Sequence, residues 1–157
     1  MAARSIHQWF AEYGESHQNP TNKLIHWICV PVIYFCVVGL LWSIPVPQDH
    51  PWLKPGIFAR ITVALVAIFY LRLSMPIMLG MVVFSVGCLF LAHAIEQHAP
   101  WPLWSICVTF FVLAWIGQFY GHKVEGRKPS FLKDLQFLMI GPAWLMGFIF
   151  KGIGLKY

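Results

Sequence analysis

Apolar runs separated by short polar or proline-rich stretches set the pattern of this chain. Ahead of them, Ile6, Trp9, Phe10 and Tyr13 fall at i, i+3, i+4 and i+7, one stripe of a short helix from Ser5 to Tyr13. Ser5 and Gln8 have the spacing of a capping box, and Gly14 is placed to end the helix. Asn19 before Pro20 reads as an N-cap and first helical position. From there a first membrane helix runs to about Trp42–Ile44, and Pro45, Pro47, Pro51 and Pro55 then impose an irregular loop.

The second run, Ile57–Leu73, carries Arg60 and Arg72, about 18 Å apart on a helix rising 1.5 Å per residue. The hydrocarbon core is roughly 30 Å thick, so the two arginines are expected to reach toward opposite interfaces. Ser74-Met75-Pro76 leaves room only for a tight turn before the third run, Ile77–Ile95. Pro100 and Pro102 precede the fourth, Leu103–Tyr120. Gly121–Gln136 is polar and basic, with Ser130 placed as an N-cap after Pro129 and Asp134 in the following turn, where a helix dipole favours an acid. The last apolar run, Phe137–Phe150, is short and interrupted by Gly141-Pro142, which predicts a re-entrant or interfacial segment.

Composition agrees with this pattern. Hydrophobic residues make up 59% of the 157 and charged residues 11%, against roughly 45–50% and about 25% in soluble domains. The expected fold is all-α: a polytopic membrane bundle of about four transmembrane helices, an N-terminal interfacial helix and a short C-terminal re-entrant or interfacial helix, forming a single domain over residues 1–157. Many of the Trp and Tyr residues lie near the ends of runs, where a ring and a polar tip are both satisfied at the membrane–water boundary. Cys29, Cys36, Cys88 and Cys107 all fall within apolar runs without a CxxC pair. They read as small core residues and not as disulfides or a zinc site. No cleavable signal is evident, because the first apolar run starts only at Leu24 and is too long.

The formal charge of +5 does not point to nucleic acid, because five of the eleven basic residues lie between Lys123 and Lys151. That bias reads as positive-inside topology. It places the loop after the fourth run in the cytoplasm, with the N-terminus on the same side. The loop Glu96–Pro102, free of Lys and Arg, falls on the other side, and Lys54 is a mild exception. Arg127, Lys128 and Lys133 could also hold a carboxylate or a lipid headgroup, although topology alone accounts for them.

This arrangement gathers His17, His26, His122 and Glu125 at one end of the bundle. Ionisable groups at membrane depth are costly and are candidates for function. His122 and Glu125 are i, i+3 and Asn22 and His26 are i, i+4, so each pair shares a helix face. Several imidazoles with a carboxylate suit a non-haem iron site with open positions. Zinc takes similar ligands, and a lone interfacial histidine is usually only a polar residue. His93, Glu96 and His98 form a second cluster, expected at the opposite end and read as interfacial. His7 and His50 are read as bland.

The same residues carry a resemblance. Tyr13-Gly14-Glu15-Ser16-His17-Gln18-Asn19-Pro20-Thr21-Asn22-Lys23-Leu24-Ile25-His26, then Cys29-Val30-Pro31, resembles the opening of the Mpo1-like family. Gln118-Phe119-Tyr120-Gly121-His122 with Glu125-Gly126-Arg127-Lys128-Pro129 is similar to its second signature, and Asp134-Leu135-Gln136-Phe137 through Gly141-Pro142 to its close. The resemblance implies an iron(II)-dependent dioxygenase, an oxidoreductase that shortens 2-hydroxy fatty acids by one carbon with dioxygen as co-substrate. It implies His17, His26 and His122 as Fe(2+) ligands and Glu125 as a fourth ligand or a base beside the metal; Glu125 and Asn22 are the expected catalytic residues. The family's eukaryotic form carries its acidic residue one position further from the Gly-His pair. The shorter spacing here is expected of a bacterial protein, in the inner membrane, or in the endoplasmic reticulum membrane if the source is eukaryotic. Two other readings stay open at this stage: a haem or electron-transfer protein using paired histidines, and a non-enzymatic protein holding lipid in a helical groove.

Overall fold

The computed structural model describes residues 4–47, 52–126 and 137–157. Its elements are α1 (Ile6–Glu15), α2 (Pro20–Trp42), α3 (Ile57–Leu71), α4 (Met75–His98), α5 (Leu103–Glu125) and α6 (Ile140–Gly152). There is no strand among the described residues. Ser130, Asp134, Arg127, Lys128, Lys133 and His50, with the expectations attached to them, lie outside the described residues.

Local chemistry explains most helix boundaries. The Ser5–Gln8 capping box opens α1. Gly14 does not end it: the helix continues to Glu15, and the Ser16 backbone N–H closes it on the Gly14 carbonyl. Asn19 caps α2 by accepting from the Thr21 N–H at 2.9 Å, with Pro20 behind it. Gly56, at φ 75, supplies the left-handed turn before α3, a conformation that costs glycine little. Gly141-Pro142, expected to interrupt the last run, instead lies in the first turn of α6, where a missing N–H breaks no intrahelical bond.

α2, α4 and α5 have 23, 24 and 23 residues and are long and apolar enough to cross a membrane. The remaining expected span is shorter. α3 has 15 residues and rises only about 22 Å, because Gly56 starts it late and the turn through Arg72 and Leu73 ends it. Arg60 and Arg72 accordingly sit near its two ends. Arg60 donates to the Pro55 carbonyl at 2.8 Å and lies over the Trp42 ring.

The four central helices run alternately up and down. Asn22, near the start of α2, meets Gly121 and Glu125 at the end of α5, whereas Gly39 meets Cys107 and Leu103 near the start of α5. Trp42 closes the far end: its indole N–H donates to Glu96 of α4 at 2.8 Å, and its ring lies against Gly56. α2 and α5 form the most extensive pairing. Their close approach rests on Gly117 and Gly121, where an added Cβ would strike Cys29 Sγ, at 2.8 Å, and Asn22 Oδ1. Small residues four apart let membrane helices approach in this way. All four cysteines are free, as expected; Cys36, Cys88 and Cys107 are buried and Cys29 half-buried.

α1 and α6 cover the end of the bundle that carries the N-terminus of α2. Ile6 and Tyr13 of the α1 stripe are buried, Trp9 and Phe10 partly so. Tyr13 packs edge-on against Trp144 at 5.2 Å and Phe137 at 5.3 Å between centroids. α6 buries Ile140 through Leu145 against this layer. Large apolar side chains such as Leu65, Val83, Phe90 and Leu113 face outward, the surface expected of helices solvated by lipid.

Candidate metal centre

Three histidines from three separate segments converge under this cover. His17 lies in the link between α1 and α2, His26 less than two turns into α2, and His122 in the last turn of α5. They are 2%, 1% and 6% exposed. One ring nitrogen of each lies within 4.8 Å of the others. The ring centroids are 4.2 Å apart for His17 and His26, 5.2 Å for His26 and His122, and 5.6 Å for His17 and His122.

The hydrogen bonds set the tautomers. His17 Nδ1 lies 2.6 Å from the Tyr13 carbonyl and His26 Nδ1 lies 2.9 Å from the Asn22 carbonyl. A carbonyl only accepts, so both Nδ1 atoms carry the proton and both Nε2 atoms keep a lone pair. Nε2 of His17 is buried without a hydrogen-bond partner among the described residues. An unsatisfied buried acceptor is costly, and a metal ion would satisfy it. Burial pushes the His17 pKa down to about 4, against the opposing pull of the Tyr13 carbonyl, so the ring is neutral at pH 7, the form that ligates metals. Three converging imidazoles, two of them held by backbone carbonyls in the ligating tautomer, therefore fit a divalent transition metal.

Glu125, expected as a fourth ligand or a base beside the metal, directs its carboxylate elsewhere. Oε1 accepts the Gln18 N–H at 2.8 Å, and Oε2 accepts the Asn19 N–H at 2.9 Å and the Asn22 side-chain amide at 3.0 Å. An acid at the positive end of α2 is favoured by the helix dipole. Asn22 is fully buried; its amide also donates to the Ser16 carbonyl at 3.3 Å, while its Oδ1 has no hydrogen-bond partner among the described residues. Glu125 and Asn22 thus brace the segments that hold His17 and His26. Among the described residues, the group close enough to share one ion is the three histidines.

The second expected cluster lies apart. His93 and Glu96 pack on or bond to Trp42 at the far end of the bundle, and His98 closes α4 there. His7 is exposed beside Tyr157. Sequence reasoning missed several groups. Tyr13 stacks on His17 at 4.1 Å and 14°, and Trp144 stands 5.6 Å from the same ring. Gln118 and Trp115 line a cavity of about 40 Å³ beside His26 and His122. For Gln118 a signal was present, since it lies one turn before His122 on the same face. The paired Gly117 and Gly121 were another. Nothing in the local sequence marked Trp144.

A family model described as "2-hydroxy-palmitic acid dioxygenase Mpo1-like" matches residues 3–153. The chain belongs to the Mpo1-like family. It is also similar to the 2-hydroxy-palmitic acid dioxygenase MPO1 of Saccharomyces cerevisiae, at 30% identity over 144 residues, covering 88% of this chain and 76% of the yeast protein. No solved structure matches. All three histidines of this Mpo1-like chain fall inside the matched span, as do Asn22 and Glu125.

Proposed function

We propose that this protein is an iron(II)-dependent dioxygenase that shortens 2-hydroxy fatty acids by one carbon. The observation that carries the reading is the convergence of His17, His26 and His122, all buried, with an unsatisfied Nε2 on His17. Membership of the Mpo1-like family supports the substrate class and the use of dioxygen. His17, His26 and His122 would hold the ion. Bound there with open positions, iron(II) would supply the redox chemistry that brings dioxygen to the hydroxyl-bearing carbon.

The remaining work falls to the protein's own groups. The Tyr13 and Asn22 carbonyls hold two imidazoles in the ligating tautomer. Glu125 ties the end of α5 to the start of α2 and so fixes His122 relative to His26. Gln118, buried beside His122, offers an amide to the polar head of the acid. Val30, Ile33 and Phe137 supply the apolar part of the cavity wall. With dioxygen as the oxidant the balance closes without a further reductant. The hydroxy acid and O2 give the acid one carbon shorter, carbon dioxide and water, a four-electron oxidation matched by reduction of O2.

The test is turnover by protein purified anaerobically and loaded with iron(II). With oxygen and a long-chain 2-hydroxy acid, the product is the acid one carbon shorter, and the same chain lacking the hydroxyl reacts far less. Equal turnover of both removes the role given to the hydroxyl. No turnover of any hydroxy acid, with lipid retained by metal-free protein, leaves a lipid-binding protein. A Soret band would identify a haem protein instead.

A further inference from the structure

The cavity beside the histidines takes the polar head of the acid in this reading, so the alkyl chain must leave it somewhere. Three further crevices are lined by described residues elsewhere in the bundle. The widest, about 430 Å³, lies between α2 and α4 and is lined by Pro31, Phe35, Phe84 and Leu91. Another, at the far end, is walled by Trp42, Arg60 and His93. Neither shares a lining residue with the histidine cavity.

The third does. A narrow apolar passage of about 50 Å³ runs between α2 and α3, walled by Val37, Leu41, Val63, Val66, Leu138 and Met139. Leu138 also lines the histidine cavity. On α2, Ile33 lines the cavity and its neighbour Tyr34 the passage. The Tyr34 hydroxyl is bonded to Ser85 Oγ at 2.6 Å, which leaves its ring as the passage wall. At the base, the Tyr70 hydroxyl donates to the Met139 carbonyl, fixing the segment that carries Leu138. Val37, Leu41 and Val66 are only partly buried, so the passage opens sideways toward lipid.

Its lining on α2, from Tyr34 to Leu41, rises about 10 Å, much of the roughly 15 Å of hydrocarbon in one leaflet. Resting on the reading of the site as one for 2-hydroxy fatty acids, we propose that the α2–α3 passage holds the alkyl tail and sets chain-length preference. Leu138 is the gate between head and tail, and Val66 sits where a long tail must pass and a short one need not.

The experiment has two arms. The first uses a long-chain 2-hydroxy acid carrying a diazirine near its terminal carbon, photolysed on detergent-purified full-length protein and mapped by peptide mass spectrometry. Adducts are expected on 37–41 and 62–66. Adducts confined to Phe84–Leu91, or spread over outward residues such as Leu65 and Leu113, overturn the proposal. This arm needs no turnover: label in the passage without product would sink the dioxygenase reading and keep the tail site. The second arm measures kcat/KM across chain lengths. Val66→Phe should lower long-chain acids at least ~10-fold while short-chain acids stay within ~2-fold. Val66→Ala, which threatens folding less, should move the optimum to longer chains. An unchanged length profile in folded Val66→Ala overturns the assignment even if Val66→Phe does not fold.

Discussion

Asn22 and Glu125 meet at 3.0 Å across the seam between α2 and α5, with the Asn22 amide donating to the carboxylate. The Asn22 backbone carbonyl, one turn away from His26, holds the imidazole of that histidine through Nδ1. The same carboxylate takes the N–H groups of Gln18 and Asn19, which directly follow His17 in the chain. One acidic group thus steadies two segments that carry histidines and is itself carried by the helix of the third.

This arrangement separates bracing from ligation. Replacing His17, His26 or His122 with Ala removes one of three donors, so metal should be lost under conditions where the wild type holds one ion per chain. Glu125→Ala should weaken metal binding by only about 10–100-fold, the usual cost of losing a group that orients a ligand. Glu125→Gln should fall between, because it keeps one acceptor oxygen and loses the other. Metal titration of the folded variants checks the order. Complete loss in Glu125→Ala would make the carboxylate a ligand.

Much of this was legible in the chain. The apolar runs, the Ser5 and Asn19 caps and the short spacing between Arg60 and Arg72 gave the helices and flagged α3 as the short one. Topology put His17, His26 and His122 at one end because the basic loop and the N-terminus fall together. The direction of Glu125 was not legible. Its spacing from His122 places it on the right face but does not reveal that two backbone N–H groups of another segment compete for its oxygens. Nor was the role of Trp144, since its approach to His17 depends on how α6 docks. Gly141-Pro142 misled for a definable reason: in the middle of a run a proline breaks a helix, whereas in the first turn it does not.

The second histidine cluster provides a control. His93 is exposed and packs on Trp42 at the end of the bundle away from His17. His93→Ala should therefore keep metal content unchanged and activity within about 2-fold, in line with surface substitutions generally. If His93→Ala lost the metal and His17→Ala kept it, the site would lie at the other end of the bundle.

Orientation follows from the same geometry. Lys123 and Gln97 are exposed at opposite ends of the bundle, and the basic bias of the sequence predicts the cytoplasmic side for Lys123. Lys123→Cys and Gln97→Cys should react with a membrane-impermeant maleimide from opposite sides of sealed vesicles, Lys123→Cys from the cytoplasmic face. Reaction of both from one face would mean that α5 does not cross the bilayer.

Gly121 tests whether helix approach builds the site. It is buried on α5 next to His122, and a Cβ there would run into Asn22 Oδ1 and come within 3.4 Å of Ile25. Asn22 cannot swing aside cheaply, since its amide is tied to Glu125 and Ser16. Gly121→Ala must therefore push α5 away from α2, an overpacking cost of about 1–3 kcal/mol. The displacement carries His122 away from His26 and slackens the Glu125 contacts. The expected result is a lowered Tm together with weaker metal binding. Gly87, where an added Cβ meets nothing within 4 Å, is the matched comparison. Gly87→Ala should bind metal normally and unfold no earlier than the parent, because alanine favours helix by up to about 1 kcal/mol over glycine. Normal metal binding in Gly121→Ala would mean that the three histidines find one another without the close seam between α2 and α5.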